Sequence, residues 1–101
     1  MAERRYPVGG EVDLASASEL QDELLALVNS TTDDLVLDCD GLEFVDSTGI
    51  AVFVHTQRVL ELQGRGFRIV NLSGMARRAF DLLGLSEMLA IADDTAEPRA
   101  S

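Results

Sequence analysis

The sequence contains no lysine and no tryptophan, and only one cysteine, one histidine and one tyrosine. With Cys39 alone there is no internal disulfide, which suits a reducing compartment. Cys39 and His55 also lack companion ligands at any recognised spacing, so no metal site is expected. Gly9-Gly10 and Gly64-Arg65-Gly66 have neither the pattern nor the context of a phosphate-cradling loop, and no cofactor is expected. The longest apolar runs, such as Ile50 to Val54, are far too short to span a bilayer, and no charged-then-apolar leader opens the chain. The expectation is a cytoplasmic protein without a membrane partner.

Positive charge is also scarce where it would matter for nucleic acid. All eight cations are arginine and the formal net charge is −10. From Tyr6 through Gln57 there are eleven acids and neither Lys nor Arg. That half repels phosphate backbones, which excludes nucleic-acid binding there, and a partner docking on it should offer basic groups.

What is present is enough for one folded domain. The 101 residues are 47% hydrophobic and the apolar positions are spread along the chain, which argues against disorder and for a single core. The expected domain is 1–101, with its core over about 6–92 and a frayed polar tail over 93–101. Tyr6 to Gly10 reads as a short strand, placed at an edge or a strand start by Pro7. Ser16 with Glu19 fits a capping box, and Leu20, Leu24, Leu27 and Val28 form a helical stripe ending near Asn29-Ser30. Leu35-Val36-Leu37 is a buried strand ended by Asp38-Cys39-Asp40-Gly41, after which Leu42 to Val45 crosses the surface. A second helix runs from about Thr48 to Leu62 with Ser47 or Asp46 at its N-cap. Gly64-Arg65-Gly66 stops it, and Phe67 to Leu72 is a strand. A third helix begins at Ser73-Gly74, with Met75, Ala79, Leu82 and Leu83 facing inward and Gly84 at its C-terminus. Leu85 to Ala92 fits a short strand or a helical turn. Strand and helix alternate, which predicts right-handed crossovers, an at least partly parallel sheet, and both crossover helices on one face unless the strand order reverses.

The chemistry converges on Asp46-Ser47-Thr48-Gly49, at the carboxyl edge of the sheet. There the helix dipole and unpaired N–H groups favour negative charge. Ser47 as a nucleophile needs a base, but His55 lies eight residues on, roughly 12 Å along a shared helix. Asp46 at a helix N-terminus is a weak base. The alternating Asp38 and Asp40 read as loop charges and Arg77-Arg78 as a wet helix face. An enzyme is therefore not expected, and the four residues alone make Ser47 a helix cap.

Four separated segments change that reading. Gly10-Glu11-Val12-Asp13, Leu35-Val36-Leu37-Asp38, Leu42 through Ile50, and Arg78 through Leu85 resemble, in order and spacing, the STAS domain of bacterial anti-sigma factor antagonists. The resemblance spans roughly residues 8 to 92. It implies an α/β fold with a mixed, partly parallel sheet of about four strands and alternating helices, the N-terminal strand being shortened or missing here. An edge left uncovered could pair with another chain, and the expected state is a monomer or weak dimer. The resemblance also implies that the first serine of the turn, Ser47, is phosphorylated by an anti-sigma factor with GHKL-type serine kinase activity, with Thr48 the less favoured acceptor. Only the unphosphorylated form would then bind that partner and release a sigma factor. The partner-binding residues it implies are Asp13, Asp46, Ser47, Thr48, Gly49, Ile50 and Phe53. The rival is a STAS scaffold or transporter accessory subunit without the switch.

Overall fold

Strands and helices alternate in a computed structural model that describes residues 2–84. Their order is β1 (Glu3–Val12), α1 (Ala17–Ser30), β2 (Asp34–Val45), α2 (Ser47–Leu62), β3 (Phe67–Val70) and α3 (Gly74–Leu82). The sheet order is β1-β2-β3 and both pairings are parallel. Because the strand order does not reverse, crossovers of one hand carry α1 and α2 over the same face. The two helices touch, and their apolar sides meet Leu35 and Leu37 in one core that includes Leu24, Val28, Ile50, Val52, Phe53 and Leu60. The α/β architecture anticipated above is thus present. Leu85 to Ala92, where the pattern fits a short strand or a helical turn, lies outside the described residues, as does the expected tail.

Two strands are longer than the sequence suggests. β1 starts at Glu3, and β2 continues through Asp38-Cys39-Asp40-Gly41 to Val45 instead of ending there. The reason lies at Asp38, which is only 1% exposed. Its carboxylate accepts hydrogen bonds from Asn71 Nδ2 at 3.0 Å, Arg5 Nη1 at 3.4 Å and the Asp40 N–H at 3.1 Å. A residue that looks like a loop acid is instead a buried anion tying β2 to β1 and to the end of β3. Cys39 beside it is buried, and burial, with Asp38 adding, pushes its thiol pKa up to about 12.

α3 presents a different side from the one expected. Met75, Leu82 and Leu83 are exposed, and Ala76 and Phe80 are buried instead. Phe80 stacks on Phe53 of α2, ring centroids 5.7 Å apart and planes at 13°. Burying a ring of that size contributes about 1.5–3 kcal/mol, so the four-residue pair Ala76/Phe80 sets the helix phase. Gly84 follows with φ +70°, a left-handed value that suits glycine after a helix end.

Candidate functional site

The site is built where β1 and β2 end side by side. Val12 and Val45, the last residues of the two strands, are register partners. The Asp46 N–H donates to the Val12 carbonyl at 3.1 Å, so the turns beginning at Asp13 and Asp46 are adjacent. α2 starts hard against these strand ends. A Cβ on Gly49 would sit 2.7 Å from Val12 Cγ1 and from Val45 Cγ2, and 2.8 Å from the Val12 carbonyl oxygen. Only glycine fits that approach.

The cap of α2 is Asp46, whose Oδ1 accepts from the N–H groups of Thr48 at 2.9 Å and Gly49 at 3.1 Å. Ser47 is therefore the first helical residue and not the cap. It is exposed, whereas Thr48 is half-buried. Placing a carboxylate in the cap frees the serine hydroxyl from that duty.

Asp13 caps its own turn in a similar way. Its Oδ1 accepts from Ala15 N–H at 3.0 Å and Ser16 N–H at 3.2 Å. The Ser16 hydroxyl donates to the Glu11 carbonyl at 3.0 Å and makes no cap bond to α1, so the expected capping box with Glu19 does not form. Of the residues anticipated at a partner surface, Asp13, Asp46, Ser47 and Thr48 are brought together at this edge. Gly49 is buried and acts as a spacer. Ile50 is almost wholly buried, and Phe53 is 0% exposed inside the core. Phe53 faces away from any partner, because the apolar stretch Ile50 to Val54 turns Ile50, Val52 and Phe53 inward and leaves Ala51 exposed and Val54 half-exposed.

Two open grooves flank the Ala51-His55 crest of α2. One, of about 540 Å³, leads away from Ser47 past Ile50 and Val54 to Arg58, with Leu83 on its far side. The other, of about 460 Å³, lies between α2 and the start of α1, where Leu14 and Thr48 line it. Leu14 is 78% exposed and Leu83 55%. Both escaped sequence reading. An isolated leucine directly after the site acid Asp13 is the one signal that could have marked the first. Leu83 carries no such signal, because with Leu82 it reads as an inward-facing end of α3.

His55 lies two turns along α2 from Ser47, about 12 Å along the axis, and cannot deprotonate it directly. Among the described residues no three His, Cys, Asp or Glu side chains converge as a metal site requires. No described helix is long and apolar enough to cross a membrane. The edge can therefore present a serine hydroxyl, a capped helix N-terminus and a partly apolar surface.

The STAS domain family model matches residues 4–97. An anti-sigma-B factor antagonist of Bacillus subtilis (strain 168) is 34% identical over 84 residues, which cover 83% of this chain and 76% of that protein. Among solved structures, an anti-sigma factor antagonist from Mycobacterium paratuberculosis superposes with a TM-score of 0.79 at 28% identity, over 88% of this chain and 75% of that one. The anti-sigma factor antagonist SpoIIAA in its unphosphorylated form reaches 0.73 at 20% identity, over 93% and 83%, a likeness of fold alone.

Proposed function

The chain belongs to the STAS domain family, and on that footing we propose that it is an anti-sigma factor antagonist switched by phosphorylation of Ser47. Unphosphorylated, it binds an anti-sigma factor with GHKL-type serine kinase activity and so releases a sigma factor. Phosphorylated by that same partner, it lets go. The observation that carries this reading is the division of labour in the turn. Asp46 caps α2, which leaves Ser47 exposed at the first helical position with no structural duty that a phosphate would disturb.

The switch follows from charge. A phosphate adds about −1.5 to −2 charge and three acceptor oxygens. At a helix N-terminus the chain itself tolerates this, so the fold should persist. The partner meets more negative charge beside Asp46 and a hydrated group where a hydroxyl had packed. Two unit charges about 4 Å apart interact by roughly 4 kcal/mol at an effective dielectric near 20. A badly placed phosphate in a desolvated interface thus costs on the order of a thousandfold in affinity.

The test is direct. The chain is incubated with ATP and each candidate anti-sigma kinase of its source organism, and its intact mass is followed. One phosphoryl group should be gained, and none by Ser47→Ala, which should still bind the kinase. An unchanged mass with every kinase would sink the switch. The STAS fold hosts scaffolds as well as switches, so fold alone does not decide between them; binding without phosphorylation would favour the scaffold reading.

A further inference from the structure

The groove between α2 and Leu83 differs electrostatically from the rest of this acidic chain. Among the described residues no Asp or Glu lines it, as none lines the groove beside α1, but its polar end carries a cation, Arg58 beside His55, which the other groove does not. Arg58 is also unusual among the arginines. Arg4, Arg5, Arg68 and Arg77 face the carboxylates of Asp33, Asp38, Glu3 and Asp81. Arg65 donates to the carbonyls of Val28 and Asp33. Arg58 is exposed and makes no ion pair or hydrogen bond among the described residues, a condition it shares only with Arg78, which lies outside the groove.

The lining has a helical period. Ser47, Ile50, Ala51, Val54 and Arg58 stand at i, i+3, i+4, i+7 and i+11 along one side of α2, so the strip follows the helix axis for about 16 Å. A strip of that length bounded by a second element is a seat for about three turns of another helix, packed ridge into groove.

We propose that this groove receives an amphipathic helix of the anti-sigma factor, with apolar side chains against Val54, Ala51 and Leu83 and an acidic side chain paired with Arg58. This rests on the function proposed above, since Ser47 opens the same groove and a helix seated there ends beside the serine. The arrangement gives the partner two readings of opposite sign. Near Ser47 and Asp46 it must avoid negative charge of its own, and one groove-length away it must supply some. Register is thereby fixed as well as affinity, because a helix docked in reverse would bring its acid against Asp46.

The experiment measures the affinity of the purified chain for each anti-sigma factor of its source organism. Variants are Arg58→Glu and Ala51→Glu, with Arg78→Glu as control, each checked for an unchanged urea midpoint. Arg58→Glu should weaken binding about tenfold, equivalent to about 1.4 kcal/mol, and Ala51→Glu at least as much, with Arg78→Glu unchanged. An acid-to-arginine scan of the partner's exposed helices should restore Arg58→Glu at one position. If the wild type binds and both groove variants bind equally well, the groove is not the docking site although the function stands. If the wild type binds no anti-sigma factor, the function falls and the groove assignment with it.

Discussion

The backbone N–H of Asp46 donates to the carbonyl oxygen of Val12 at 3.1 Å. That bond fastens the serine turn to the end of β1, from which α1 and β2 separate it along the chain. It makes the start of α2 a shared product of two strand ends, and mutations on either side of it should be felt at Ser47.

Gly49→Ala tests this sharing. In an open helix the change would stabilise by up to about 1 kcal/mol. Here the new methyl would lie 2.7 Å from Val12 Cγ1 and Val45 Cγ2, and overpacking of that kind costs about 1–3 kcal/mol. Urea unfolding should show a net loss of stability, and partner binding should weaken because the first turn of α2 is displaced. A gain in midpoint would show that α2 does not approach so closely.

The cap predicts a chemical distinction at Asp46. Asp46→Ala strands the N–H groups of Thr48 and Gly49 and should cost about 1 kcal/mol, whereas Asp46→Asn keeps an acceptor oxygen and should cost far less. Ser47→Ala, at an exposed first-turn position, should change the unfolding midpoint little. Equal losses for Asp46→Ala and Ser47→Ala would mean that the serine, not the aspartate, holds the helix start.

How much of this was legible in the sequence depended on whether the local pattern matched the three-dimensional constraint. α1 and α2 were visible because their apolar stripes are long and face one core. β2 reads as shorter than it is because its second half shows no alternation. Cys39, Leu42 and Val45 are buried at intervals of three, and the β1–β2 register is irregular between Pro7 and Gly9 and between Gly10 and Glu11. Such irregularities break the period of two on which strand reading relies. In α3 the pull of Leu82-Leu83 outweighed Phe80, whose partner Phe53 is distant in sequence. At the site, Ser47 and Asp46 are legible from the turn itself, but which of the two caps depends on the residue at which the backbone first turns helical, and Asp46 is still extended. Phe53 and Val54 were indistinguishable until the helix phase was known.

Asp38 should be the least replaceable acid among the described residues. Asp38→Ala leaves the buried Asn71 amide without the carboxylate it donates to, and stranding such a donor costs about 1–3 kcal/mol in addition to the lost packing. Arg5 is 36% exposed and 3.4 Å away, so in Arg5→Ala water can enter where the guanidinium stood while Asp38 keeps its bonds from Asn71 and the Asp40 N–H, and the cost should be smaller. Urea midpoints of the two variants provide the comparison. Similar losses would place the energy in the ion pair and not in the buried acceptor.

Cys39 supplies a pH dependence with a definite sign. Burial first, then the Asp38 charge, raises its pKa from 9.0 to about 12 in the folded chain. The folded state thus holds its proton where the unfolded state has released it. Stability from this group is complete below about pH 9 and declines as pH rises toward 12, by up to about 1.4 kcal/mol per pH unit. Tyr6, whose pKa is raised by burial and then by Glu23, acts in the same direction at higher pH. Urea unfolding from pH 8 to 11 should therefore show a falling midpoint. In Cys39→Ala the midpoint starts lower, because a buried side chain is truncated, but its fall over that range should be shallower. A slope identical to wild type would mean that the thiol ionises as freely in the folded chain as in the unfolded one, and that Cys39 is not sealed behind β2 as the buried strand requires.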